Sequence, residues 1–185
     1  MDAGPQAVIH PTAVVDESAR LGAGTVVWSH ACILSGAVLG RNCRVGHGAF
    51  IDRGVRVGDD VVIHNNASLY RPVEIGNRVF IGPHVVFVND RDPRSDATRD
   101  LSGVSWKVHD GATIGANVTI MSDVTLAAYS FIGAAALVTE STVPYGLYIG
   151  SPARLIGYRC LCGQRFSADG LLPEICSACQ RTFAT

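Results

Sequence analysis

The chain has 185 residues with 15 basic and 16 acidic side chains, a net charge of −1, so neither nucleic acid nor an anionic membrane surface is favoured as a partner. Hydrophobic residues make up 48%, enough to fill one core with a small appendage, and no apolar run reaches transmembrane length. The first residues lack the basic and apolar regions of a signal peptide, which predicts a cytoplasmic protein whose clustered cysteines bind metal instead of pairing as disulfides.

After a lead-in over residues 1–8, an aliphatic residue recurs at every sixth position: Ile9, Val15, Leu21, Val27, Ile33, Leu39, Val45, Ile51, Val57, Ile63, Leu69, Ile75 and Ile81, then Phe87. A helix repeats at 3.6 and a strand at 2, so a strict six marks a solenoid built from hexapeptides. Small residues such as Ala31, Ala37, Cys43, Ala49 and Ala67 fall two before an aliphatic position, where an inward corner has little room. Cys32 and Cys43 are both read as coil-packing residues. Three hexads close one triangular coil of eighteen residues, and coils stack as parallel strands around an aliphatic interior.

The polar segment 90–107 interrupts the repeat and is expected to protrude as a loop. The hexads resume in a new frame at Val108, Ile114, Ile120, Leu126, Ile132 and Val138. Pro144–Gly157 reads as an extended exit strand. Residues 158–185 hold Cys160-x-Cys162 and Cys176-x-x-Cys179, separated by thirteen residues. Two close thiol pairs match tetrahedral zinc, or iron in the same cage, and a tail this short depends on metal for its fold. With all four ligands from protein, the metal is structural. The predicted organisation is therefore a repeat domain over 1–157 and a four-cysteine, zinc-ribbon-like tail over 158–185.

Reducing residue numbers by multiples of eighteen aligns five of the six histidines along one edge of the prism. His10 and His64 share a column, His47 and Asn65 share the next, and His30, Asn66 and His84 the one after. A polar patch of His64, Asn65, Asn66 and His84 is expected there. Asn and His also suit exposed tight turns, which is the structural reading of the same residues.

Several blocks carry a resemblance. Asn65-Asn66-Ala67-Ser68-Leu69-Tyr70, Gly82-Pro83-His84-Val85-Val86-Phe87-Val88-Asn89 and Asp92-Pro93-Arg94-Ser95 are similar to signatures of the nucleotide-sugar N-acetyltransferases that acetylate a 3-amino group. Gly111-Ala112-Thr113-Ile114-Gly115-Ala116-Asn117 and Gly150-Ser151-Pro152-Ala153-Arg154 match later blocks of that family, and Cys160-Leu161-Cys162-Gly163 resembles a tail found in some members. His64, Val88 and Asp92 stand where the family usually has Gln, Thr and Asn. The wider hexapeptide-repeat acyltransferases form a left-handed parallel β-helix, so the resemblance implies an all-β chain of that fold.

The resemblance further implies acetyl-CoA as donor and a nucleotide-linked amino sugar as acceptor, joined by direct attack of the amine on the thioester. Asn89 is the candidate for orienting the amine and His84 for removing its proton, unless the departing CoA thiolate collects it. A base for this step should titrate near neutrality, as imidazole does; His64 is a second candidate and His109 a reserve. His64, Asn65, Asn66 and Tyr70 are candidates for acceptor binding, and Arg94 for the pyrophosphate or a sugar carboxylate. Gly115, Gly133 and Ala134 are expected to line the pantetheine arm, with Arg154 at a CoA phosphate. Such prisms commonly form homotrimers with sites between subunits. Two rival readings are a zinc lyase of the carbonic anhydrase type, using His47, His64 and His84, and a non-catalytic scaffold. Transfer to a sugar hydroxyl is a variant of the first reading.

Overall fold

A computed structural model describes residues 6–90, 92–96, 104–167 and 172–183. Parts of the expected lead-in, loop and tail lie outside these residues. The described residues are all-β, and they include no helix long and apolar enough to cross a membrane.

Two-residue strands alternate with tight turns, and three parallel sheets wrap one interior. Sheet A starts with Val8–Ile9, Val26–Val27 and Arg44–Val45; sheet B with Val14–Val15, Cys32–Ile33 and Phe50–Ile51; sheet C with Arg20–Leu21, Val38–Leu39 and Arg56–Val57. Each strand pairs with the one eighteen residues later, as in Val8↔Val26 and Cys32↔Phe50. This register turns a hexad into one side of a triangle and stacks every sixth aliphatic residue in a continuous core. Ile33, Ile51, Leu69, Ile81, Ile114 and Ile132 are completely or almost completely buried. The small residues two positions earlier are buried too, including Ala31, Ala49, Ala67 and Cys43. Cys32 departs from the expected packing: it lies on the outer side of sheet B, half-buried, in the column of Val14 and Phe50.

The loop leaves between sheets B and C. Across it the pairing offset rises to 33, as in Phe80↔Thr113 and Phe87↔Ile120, so fifteen residues are added to one coil without shifting the stack. The coil resumes two residues earlier than expected, with the strand Trp106–Val108. Trp106 enters the core opposite Val73, meets Phe87 edge to face at 6.0 Å, and donates its indole N–H to the Met121 carbonyl at 2.8 Å. The bulk of this pair fills the space where the chain departs.

The exit segment is a hairpin and not a single strand. Gly146–Ile149 pairs in parallel with the coil and antiparallel with Arg154–Arg159, which pairs in turn with Arg165–Ser167. Gly150 takes φ +96° at the bend, a conformation that side chains resist. The first part of the tail thus continues sheet A.

At the edge between sheets C and A, acidic and amide side chains form a ladder up the stack. Asp110 Oδ1 accepts from the Asn77 backbone N–H at 2.9 Å, Asn77 Oδ1 from Asp59 N–H at 2.9 Å, and Asp59 Oδ1 from Arg41 N–H at 2.7 Å. The Asn77 N–H holds the Asp110 carboxyl below its ordinary value against the effect of partial burial, helped by the Asn77 amide and Arg78. A lowered folded pKa adds stability above the unfolded carboxylate value, and that stability disappears as pH falls through the folded value. Asp110→Ala is therefore expected to cost about 1 kcal/mol at neutral pH, since solvent screens this half-exposed group. In thermal melts the difference from the parent protein should close as the pH falls through the lowered value.

Candidate active site

The edge between sheets A and B gathers most of the predicted residues. Each A strand ends in an aliphatic residue, and the next three or four positions turn the chain into sheet B. His64, Asn65, Asn66 and His84 all occupy such turns and are exposed. From the second coil onward one backbone position of the turn is left-handed: His30, Asn66 and His84 have φ of 57°, 57° and 58°. Asn and His tolerate this region better than most residues. The turn reading of the sequence is therefore correct for Asn66 and His84, and it leaves their side chains at the surface.

The rungs are tied to one another here. Asn65 Oδ1 accepts from the His47 N–H at 3.0 Å, while the Asn65 carbonyl accepts from the His84 N–H at 3.0 Å. His64 lays its ring against Phe80 at 5.0 Å. His47 Nδ1 lies 2.9 Å from Ser29 Oγ, and its ring meets His30 edge-on at 5.3 Å. These contacts hold the rings of His30, His47 and His64 along the edge, while His84 is tied through its backbone N–H.

Gly115, Gly133 and Ala134 continue the same edge through the later coils. Gly115 is required by close approach, because a Cβ there would lie 2.6 Å from the Ala134 nitrogen. Beside it, the backbone N–H groups of Ala116 and Ala134 have no acceptor among the described residues. The edge thus offers imidazoles on its early coils and outward N–H donors on its later ones.

Asn89, Tyr70 and Arg94 are not on this edge. They belong to the turns between sheets B and C, from which the loop leaves. Strand Val86–Phe87 separates His84 from Asn89, and at roughly 3.3 Å per residue the two are on the order of 15 Å apart along the chain. One chain therefore does not bring them onto a single reacting atom. Asn89 is half-buried, Tyr70 packs its ring on Phe50 at 5.4 Å, and Arg94 is exposed. Asp90 Oδ1 accepts from the Asp92 N–H at 2.9 Å and shapes the start of the loop. Arg154 stands apart at the end of the stack, beside a hollow of 360 Å³ that it shares with Glu140, Ser141 and Tyr148.

The four tail cysteines converge as predicted. Their sulfurs all lie within 4.8 Å of one another, with Cys160–Cys179 and Cys162–Cys176 at 3.7 Å. Sulfurs bound tetrahedrally at about 2.3 Å from one zinc are about 3.8 Å apart, so the cage has the right size. Burial pushes the Cys160 thiol up to about 12. Desolvation also acts on Cys176, but N–H groups of Cys179 and Ala178 and the neighbouring thiols outweigh it and bring that thiol down to about 7. The buried Cys160 and Cys176 pack with Tyr145 and Phe183, and Tyr129 stacks on Tyr145 at 4.9 Å, so the cage is anchored to the last coils. Among the described residues, no other His, Cys, Asp or Glu ligand atoms gather closely enough for a metal. His47, His64 and His84 follow one another along the edge without the convergence that a lyase site on a single chain requires.

Comparison with known proteins agrees with this architecture. Residues 54–89 match the family described as bacterial transferase hexapeptide (six repeats), and residues 36–71 match the hexapeptide repeat of succinyl-transferase. The chain is 37% identical to the dTDP-3-amino-3,6-dideoxy-α-D-galactopyranose 3-N-acetyltransferase of Aneurinibacillus thermoaerophilus, over 90% of this chain and 94% of that protein. The chain belongs to the hexapeptide-repeat acyltransferases. It spans less than half of two other relatives, 42% of one from Schizosaccharomyces pombe and 41% of the bifunctional protein GlmU of Heliobacterium modesticaldum. Among solved structures, LpxA of Bacteroides fragilis has a TM-score of 0.69 at 18% identity, covering 84% of this chain and 62% of that one. PerB of Caulobacter crescentus, solved with CoA and GDP-perosamine, has a TM-score of 0.52 at 22% identity, covering 83% and 58%. These likenesses establish the shared solenoid fold.

Sequence reasoning missed two residues of the A–B edge. Trp28 shares the column of His10 and His64, and Arg44 points outward from the adjoining A strand. The eighteen-residue register that aligned the histidines contains both positions, but a search limited to histidine and asparagine passes over them.

Proposed function

We propose that the chain transfers an acetyl group from acetyl-CoA to the 3-amino group of a nucleotide-linked sugar. The observation that carries this reading is the identity over nearly the full length of both chains with a 3-N-acetyltransferase. The amine nitrogen attacks the thioester carbonyl, and the tetrahedral intermediate collapses with loss of the CoA thiolate. His84 takes the proton that the nitrogen sheds, and Asn89 orients the amine through its side-chain carbonyl. The outward N–H of Ala134 or Ala116 stabilises the oxyanion. Holding both substrates in attack geometry is the largest contribution, on the order of 7–11 kcal/mol.

His84 and Asn89 stand at opposite ends of one strand, so a centre that uses both draws them from two chains. This supports a homotrimer with sites between subunits. Outward side chains support it as well: sheet A presents Val8, Val26, Val62 and Phe80 beside Arg44 and Thr113, and sheet B Val14, Phe50 and Val86 beside Ser68 and Thr119, whereas sheet C presents Arg20, Arg56, Glu74 and Lys107 with Val38 and Thr125. His64, Asn65, Asn66 and Tyr70 hold the acceptor, with Arg94 at its anionic groups. Gly115, Gly133 and Ala134 flank the pantetheine, and Arg154 meets a CoA phosphate. The four cysteines hold structural zinc, dividing the chain into a transferase domain over 1–157 and a tail over 158–185, in a cytoplasmic enzyme.

Thiol release from acetyl-CoA tests the reading, with 3-amino nucleotide sugars set against their 4-amino isomers and 3-hydroxy analogues. Release is expected with a 3-amino acceptor. Release with the hydroxy analogue alone would make the enzyme an O-acetyltransferase, and release with none would refute the assignment.

A further inference from the structure

On the early coils, the A–B edge borders a hollow of 460 Å³ that the family motifs only touch. Trp28, Arg44, His47, His64 and Asn65 line it over an aliphatic floor, and no carboxylate does. Trp28 is 56% exposed, a large apolar ring left in solvent. Arg44 is also exposed and has no acidic partner among the described residues. A Cβ at Gly46 would lie 2.6 Å from Asn65 N, so the floor beneath these side chains stays flat only with glycine.

We infer that this hollow binds the nucleoside diphosphate half of the acceptor. The inference rests on the nucleotide-sugar reading and names the residues that hold the nucleotide. The Trp28 indole stacks on the base, since every base offers a π-face. The Arg44 guanidinium pairs with the diphosphate through its planar fork of donors. His47, fixed by Ser29 and His30, donates to the same anion. The direction follows from the stack. Trp28 lies on the second coil and His84 on the fifth, three rungs or about 14 Å further along the edge. A nucleotide sugar laid along this edge has its base at Trp28, its diphosphate at Arg44 and His47, and its sugar at His64 and His84. With the diphosphate at Arg44, the anionic group left to Arg94 is a carboxylate on the sugar.

The chain has two tryptophans, and Trp106 is buried, so emission from Trp28 reports on the hollow. Titration with thymidine diphosphate or uridine diphosphate is expected to quench that emission. Trp28→Ala and Arg44→Ala should each raise KM for the nucleotide sugar roughly tenfold while kcat changes little. Arg44→Lys should recover only part of the loss, because an ammonium lacks the fork. Both alanine variants should keep the fold of the parent protein by circular dichroism, since the replaced side chains lie outside the aliphatic core. Unchanged KM in the two alanine variants would overturn the inference and leave the acetyltransferase reading intact. Failure of the parent protein to bind either nucleoside diphosphate would also overturn the inference, while thiol release with a 3-amino nucleotide sugar tests the acetyltransferase reading separately.

Discussion

Replacing His84 with asparagine should lower kcat by about 100-fold, roughly 2.7 kcal/mol of transition-state stabilisation, while the protein stays folded. Asparagine is chosen for a structural reason. His84 has φ 58°, and Asn66 holds the same position one coil earlier at φ 57°. Asparagine therefore keeps the left-handed turn and the backbone N–H bond to the Asn65 carbonyl, and removes only the imidazole. Alanine would alter turn and base together and could not separate them. An unchanged melting temperature with a large loss of kcat assigns His84 to proton removal. An unchanged kcat would reduce His84 to a turn residue and leave the CoA thiolate to collect the proton.

Replacing Cys176 with serine should abolish metal binding and unfold the tail. Metal analysis of the parent protein is expected to find one zinc per chain, and analysis of the variant none. The tail has little core of its own: Tyr145, Cys160, Cys176 and Phe183 form its buried cluster, and two of these four belong to the cysteine cage. Binding free energy in such a cage is folding free energy, on the order of 10 kcal/mol for isolated zinc modules. The coil has its own aliphatic stack and should survive, so the β-sheet circular dichroism and thiol release persist while limited proteolysis cuts beyond residue 158. Zinc retained by Cys176→Ser, or a tail that resists proteolysis after chelation, would contradict the assignment. A second zinc per chain would revive the lyase reading, with histidines meeting across subunits.

The solenoid was legible because its core is one-dimensional. A single aliphatic residue per hexad sets each side of the triangle, so spacing alone predicts pairings such as Val8↔Val26. The same arithmetic aligned His64, Asn65, Asn66 and His84, and the structure places all four on one edge. It also contained the separation of Asn89, five positions after His84 and hence one side of the triangle away. Adjacency in a signature hid this. The hairpin at Gly150 was missed because a glycine followed by Ser-Pro suits an extended segment as well as a bend. The cysteine cluster was legible from spacing, but the continuation of sheet A into Arg165–Ser167 was not, since a three-residue strand has no period to detect. Trp28 and Arg44 illustrate a further limit: a hollow is a property of neighbouring rungs, and no motif in the chain spans its residues.

The position of the new acetyl group is the most direct test of the transferase reading. The protein would be incubated with acetyl-CoA and a 3-amino nucleotide sugar, and the product examined by mass spectrometry and by its stability to hydroxylamine. One added acetyl group is expected, held as a hydroxylamine-resistant amide at the 3-nitrogen. A hydroxylamine-labile ester, an acetyl group elsewhere on the sugar, or unmodified acceptor would contradict it.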